Sequence, residues 1–209
     1  MDIQVGLPKM SIKKNLVISI LYTIVTTVVL GIGYPLLMTG LAQMLMKDKA
    51  NGSLIVRGDK IIGSKLLAQP FTGPGYFHPR PSAAGTNGYD ATSSGGTNFG
   101  PTNQKLTDRV HGDVATLQSE KPNHSIPIDA VTTSASGLDP HITVANADFQ
   151  AARVAKARQI PDSEIAKLVK EFVETRQLGF LGEPRVNVLT LNLALDQRYP
   201  VRASKSPAK

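Results

Sequence analysis

Apolar residues are distributed along this chain in two different ways. From Asn15 to Met46 no charged residue occurs, and the run LVISILYTIVTTVVLGIGY inside that stretch is apolar enough to cross a hydrocarbon core that takes roughly 20 helical residues. Beyond it, apolar positions recur only at helix or strand spacing, broken by Gly, Pro and Asn. The pattern predicts one transmembrane helix followed by a soluble domain. A cleaved signal peptide is the alternative, with Lys13 and Lys14 as its charged start and Gly40-Leu41-Ala42 as a small-x-small cleavage site. Such peptides carry an apolar region of only about 7–15 residues, which favours a retained anchor. Pro35 is expected to kink or end the helix, with Leu36 to Met46 continuing as a second, interfacial piece.

Within the helix, Ser19, Thr23, Thr27 and Gly31 recur every fourth residue, beside an aliphatic row of Leu16, Ile20, Ile24 and Val28. A stripe of small residues lets two helices approach closely in lipid, although Ser, Thr and Gly are common enough in membrane helices to align by chance. Lys9, Lys13 and Lys14 precede the segment and Lys47 and Lys49 follow it, so charge bias does not set the orientation. A short head and a long tail make a cytoplasmic N-terminus with an external domain the simplest topology. The expected organisation is a cytoplasmic head (1–15), transmembrane helix and exit (16–46), soluble extracytoplasmic domain (47–196) and disordered basic tail (197–209).

In the soluble part, SLIV and KIIG flank Arg57-Gly58-Asp59 and predict a hairpin with a glycine turn. Residues 70–103 are crowded with Gly, Pro, Ser, Thr and Asn and predict a long loop, which Tyr76, Phe77, Tyr89 and Phe99 should pin in place. Leu106, Val110, Val114 and Leu117 have helical spacing, with Thr102 as the cap and Lys121-Pro122 as the end. Residues 126–134 predict a short strand. Helices follow over Thr143 to Arg158 and after Pro161-Asp162-Ser163, where Ile165, Leu168, Val169, Phe172 and Val173 form one buried face. RVNVLTLNLALD predicts a strand passing into a short helix. The sum is one α+β domain behind a single membrane helix.

Composition narrows the chemistry. The 209 residues include no cysteine, which excludes disulfides, thiolate metal sites and cysteine nucleophiles. The net charge of +7 is spread along a chain without Trp, so no basic stripe interleaved with aromatics points to nucleic acid. His78, His111, His124 and His141 show no metal-ligand spacing, and no bound metal is expected. Gly58 to Lys65 approximates a phosphate-binding loop but inverts its final Lys-Ser/Thr pair, and Gly95 to Gly100 runs into Pro101, which lacks an N–H. Ser94, Gly95 and Gly96 are weak nucleotide candidates, set against the simpler reading of glycines as turn devices. A second class of function is an anchored serine hydrolase using Ser134 or Ser136 with His141 and Asp139, although no G-x-S-x-G elbow surrounds either serine. Arg80, fixed between Pro79 and Pro81, is either an interface anchor or a solvated loop charge.

Seven segments together carry a resemblance: GYPLLMTG (33–40), NGSLI (51–55), YFHPRPSA (76–83), SGGTNFGPTN (94–103), VTTSASGLDPHI (131–142), RVAKAR (153–158) and VNVLTLNLALD (186–196). In that order they resemble the C subunit of Kdp-type potassium-transporting ATPases. The resemblance implies a bacterial inner-membrane complex in which a channel-like subunit binds potassium, a P-type subunit hydrolyses ATP, and this subunit assists as a catalytic chaperone raising ATP affinity. It also implies that ATP and potassium are handled by the complex, and no cofactor is expected on this chain itself. In keeping with an accessory part, the Asp-Lys-Thr-Gly run of a phosphorylated pump is missing from the sequence. The membrane helix stripe and Arg80 are the expected partner contacts, with lipid around the helix.

Overall fold

The computed structural model describes residues 11–200, and these divide into two units that meet between Ser53 and Leu54. The expectations for residues 1–10 and 201–209 lie outside the described residues.

The first unit is a helix of 34 residues, Ile12–Leu45, none of whose apolar window is buried. At 1.5 Å per residue it is about 51 Å long, well beyond the roughly 30 Å of a bilayer's hydrocarbon core. It comprises α1 (Ile12–Thr26), a π-helical segment (Thr27–Gly33) and α2 (Tyr34–Leu45), followed by a single turn, α3 (Lys47–Ala50). Pro35 therefore does not end the helix. It sits in the first turn of α2, immediately after the π segment, where the Tyr34 N–H reaches back to the Val29 carbonyl. The wider π turn makes room for a ring that would otherwise strike the carbonyl four residues earlier. Leu36 to Met46 is accordingly not a separate interfacial piece, and residues 12–15 of the expected head are already helical.

The second unit mixes helix and sheet. Its elements are β1 (Leu54–Arg57), β2 (Lys60–Ser64), α4 (Gln104–Glu120), α5 (Ile128–Val131), β3 (His141–Thr143), α6 (Val144–Arg158), α7 (Asp162–Glu171), β4 (Val173–Glu174), β5 (Arg185–Asn187) and α8 (Val188–Arg198). β1 and β2 form an antiparallel hairpin on their own, and β3, β5 and β4 form an antiparallel sheet in that order. Strand alternation splits this small sheet into two faces. Ile142, Val186 and Val173 lie in register and pack in or against the core, whereas Thr143, Arg185 and Glu174 share the polar face. The core gathers Phe77, Val154, Ile165, Leu168, Val169, Leu191 and Leu195 from the loop, α6, α7 and α8.

Local chemistry explains most boundaries. Asn103, not Thr102, caps α4 by accepting from the Lys105 N–H. Thr143 caps α6 through Asn146, and Asn187 caps α8 through Thr190, so each strand ends on the residue that starts the next helix. α7 stops at Glu171, two residues short of the end of the apolar pattern, and Val173 belongs to β4. The predicted strand at 126–134 is replaced by the helical turn α5. Its buried Asp129 accepts hydrogen bonds from the Thr143 N–H, the Thr143 hydroxyl and the Asn146 amide, and these long-range partners override the β-branched composition. Residues 197 and 198 of the expected tail lie in α8, and the Tyr199 hydroxyl meets Glu164.

Candidate functional site

Between β2 and α4 the chain runs from Lys65 to Asn103 without a regular element. Such a segment cannot satisfy its own backbone, so other elements must do it. Asn192 of α8, fully buried, accepts from the Phe77 N–H at 2.9 Å and donates to the Phe77 carbonyl at 2.8 Å, acting as a one-residue strand partner. Gln150 of α6 does the same for His78, at 2.7 and 3.0 Å, and donates also to Asn146. Arg153 holds the Pro74 and Tyr76 carbonyls. Arg158, whose side chain is only 1% exposed, pairs with Asp196 at 2.7 Å, donates to the Gly75 and Tyr199 carbonyls and stacks 4.7 Å over the Tyr76 ring. Phe77 seats in the core. Of the four expected aromatic pins, Phe99 alone is exposed, at 37%.

The second half of the loop closes on the turn Ser134–Leu138. Ser82 donates to the Gly137 carbonyl, Ser94 donates to the Ser136 carbonyl, and the Gly95 N–H donates to the same atom at 2.9 Å. The approach demands glycine at Gly137, which has φ of +66° and where a Cβ would sit 2.7 Å from both Ala84 N and Gly95 O. At Gly96 a Cβ would lie 3.0 Å from the Ala135 carbonyl. The candidate nucleotide residues Ser94, Gly95 and Gly96 thus serve as a backbone fastener, and the Gly95 N–H points inward to a carbonyl.

Arg80 is also an internal tie. Its guanidinium donates to the Thr132 and Thr133 carbonyls and pairs with Asp139 at 3.2 Å. The hydrolase candidates are separated by the same geometry. Ser134 and Ser136 face each other at 3.4 Å and Ser136 accepts from the Leu138 N–H, whereas His141 has Asp139 3.7 Å from Nδ1 and Glu174 3.6 Å from Nε2. Both imidazole nitrogens of His141 face carboxylates, so this histidine does not activate Ser134 or Ser136. Burial opposes ionisation of Asp139, but hydrogen bonds from His141 and the charge of Arg80 outweigh it and hold the carboxyl below its usual range.

A cleft of about 960 Å³ opens between the loop and the helices, walled by Phe71, Tyr89, Leu117 and Phe149. His78 lines it, a position the sequence brings up only as one of four histidines without metal-ligand spacing. Its Nε2 lies 3.0 Å from the Gly73 carbonyl, which can only accept, so that nitrogen carries the proton. Burial, and next the Arg153 charge, push its pKa below the ordinary value and keep the ring neutral.

The stripe on the membrane helix stays outward. Ser19 folds its hydroxyl onto the Asn15 and Leu16 carbonyls, and a Cβ on Gly31 would meet only Thr27, at 3.7 Å. In a regular helix every fourth residue drifts about 40° around the axis, and the looser π segment between Thr27 and Gly31 reduces that drift. All four positions are exposed to whatever surrounds the helix.

One long apolar helix none of whose apolar window is buried, followed in the chain by a small domain whose polar groups close on each other, defines a membrane-associated protein with a single spanning candidate among the described residues. Comparison with known proteins gives the family. Residues 16–197 match the model described as KdpC, K+-transporting ATPase, c chain. The chain is 62% identical over 189 residues to the potassium-transporting ATPase KdpC subunit of Koribacter versatilis, covering 90% of this chain and 97% of that one. The protein of that name from Acidobacterium capsulatum is 57% identical over 181 residues, 87% of this chain and 97% of its own. That of Rhodospirillum rubrum is 56% identical over 177 residues, 84% and 91% respectively. The chain belongs to the KdpC family of potassium-transporting ATPase subunits.

Proposed function

We propose that this chain is the non-catalytic accessory subunit of an ATP-driven potassium uptake pump, held in the inner membrane beside a channel-like potassium-binding subunit and a P-type ATP-hydrolysing subunit. Residues 1–15 face the cytoplasm and the domain over 47–196 lies outside it. The stripe Ser19, Thr23, Thr27 and Gly31 packs against a pump helix. The subunit stabilises the complex and raises the ATP affinity of the hydrolytic subunit by indirect coupling.

The observation that most supports this reading is the inward closure of the domain's polar groups. The Gly95 N–H and the Ser94 hydroxyl are engaged by Ser136, and the serine, histidine and aspartate of the hydrolase alternative do not form a relay. A rigid body of this kind acts by binding one conformation of a partner better than another, so the nucleotide-ready state becomes more populated. Linkage makes the effect reciprocal: the factor this subunit adds to ATP affinity is the factor ATP adds to its affinity for the pump, typically about 5–150-fold. Titrating the subunit onto the other subunits in detergent, with and without a non-hydrolysable nucleotide, measures that factor. Equal affinities alongside a confirmed rise in ATP binding would refute indirect coupling. A periplasm-specific reporter fused after Asp196 should be active, and activity of a cytoplasmic reporter there would reverse the topology.

A further inference from the structure

The hairpin of β1 and β2 carries an apolar ridge that the described residues leave exposed. Val56 and Ile61 are cross-strand partners, both 58% exposed, and Leu54 continues the row along β1 at 43%. The opposite face is the one that packs. At Gly63, the partner of Ile55, a Cβ would meet Gln69 and come within 3.1 Å of Leu189, and Gln69 donates to the Ile62 carbonyl. Asn187 holds the Lys65 carbonyl just beyond β2. The hairpin is therefore fixed to the domain by one face and presents a three-residue hydrophobic ledge on the other.

Charge surrounds that ledge asymmetrically. Arg57 and Lys60 pair across the tip and Lys65 follows β2, against the single carboxylate of Asp59. Another exposed apolar tip of the domain, Leu178 with Phe180, is neutral by comparison, because its neck is closed by Arg176 and Glu183 at 2.7 Å. Connectivity adds a second constraint. Only residues 46–53 separate Leu45, the end of the apolar helix, from Leu54, the start of β1. A chain of that length spans about 30 Å at most, even fully extended.

We propose that the β1–β2 hairpin is a docking surface for an anionic lipid bilayer, with Leu54, Val56 and Ile61 at the boundary between acyl chains and headgroups and Arg57, Lys60 and Lys65 among the phosphates. The proposal rests on the membrane-span reading of Ile12–Leu45. Apolar area next to clustered cations is the combination that binds an interface, and it favours anionic over zwitterionic lipid. A protein partner would not require the cationic excess.

Because the chain has no native cysteine, Val56→Cys and Ile61→Cys each give a unique nitroxide position in the full-length protein. Both labels are reconstituted in phosphatidylcholine vesicles with or without phosphatidylglycerol, and collisions with oxygen and with a nickel chelate are compared. With phosphatidylglycerol both labels should be oxygen-accessible and nickel-shielded, while a label at Leu178→Cys stays open to nickel. Adding Arg57→Glu and Lys60→Glu should return the labels to water, with about a fivefold weaker surface equilibrium for each positive charge removed. Nickel access in both lipids overturns the proposal. So does shielding that appears only when the other ATPase subunits are added, which would make the ridge a subunit interface. A label at Ile24→Cys reports the span separately, so a failed span and a failed hairpin give different results.

Discussion

Replacing Asn192 tests whether the long loop is held by side-chain amides rather than by hydrophobic burial alone. The carboxamide is fully buried and satisfies both backbone groups of Phe77, at 2.9 and 2.8 Å. Leucine fills nearly the same space but leaves one N–H and one carbonyl without partners in a dry site. Each orphaned group costs about 1–3 kcal/mol, so Asn192→Leu should lose about 2–6 kcal/mol. A domain of ordinary stability, about 5–15 kcal/mol, would then approach unfolding. Asn192→Asp gives a sharper outcome. A protonated carboxyl can accept from the Phe77 N–H and donate to its carbonyl, whereas a carboxylate repels that carbonyl and is penalised by burial. The introduced acid should have a folded pKa above its unfolded value near 3.9. Its contribution is therefore present below the unfolded pKa and lost as pH rises through the folded one. Urea unfolding of the detergent-solubilised chain, followed by tyrosine emission since Trp is absent, should show Asn192→Asp approaching wild type near pH 4 and falling well below it at pH 7. A leucine variant within about 0.5 kcal/mol of wild type, or an aspartate variant whose deficit is the same at both pH values, would refute the reasoning.

Four further outcomes follow from other parts of the molecule. Gly137→Ala combines a left-handed backbone with contacts at 2.7 Å and should cost more than about 2 kcal/mol, exposing residues 82–96 to limited proteolysis before the helices unfold. Arg158→Lys keeps the charge but cannot reproduce the fork to Asp196, Gly75 and Tyr199, and should lose about 3 kcal/mol in the same urea assay. His78 and Asp139 both have folded pKa values below their unfolded ones, so the unfolded chain binds more protons. Stability should hold above the unfolded value, 6.5 for the histidine and 3.8 for the aspartate, and fall as pH drops through each folded value; His78→Gln should flatten the loss below pH 6.5, read from urea midpoints across pH. In the membrane helix, Gly31→Leu should weaken co-purification with the other pump subunits while Ile24→Leu should not, and equal retention would remove the stripe from the interface.

Elements whose cause lies within a few residues were legible in the sequence. An uncharged apolar run identifies a membrane helix because the hydrocarbon core acts on the run as a whole. The hairpin around Gly58, the helix from Val144 to Arg158 and the strand passing into a helix at Asn187 are set by periodicity and nearby caps. The apolar period over Ile165 to Val173 fixed the buried face of α7 but not its end, since Val173 found a strand partner in β5. Where the cause is remote, the sequence carries little trace. Asn192 and Gln150 read as ordinary helical polar residues, yet they serve a loop more than seventy positions away. Asp129 turned a predicted strand into a helical turn because its partners come from residues 143 and 146. Arg80 is a loop charge in one dimension and a tie to Thr132, Thr133 and Asp139 in three. Local chemistry chose the elements, and the need to satisfy the buried backbone of a segment with no ladder of its own decided how they were joined.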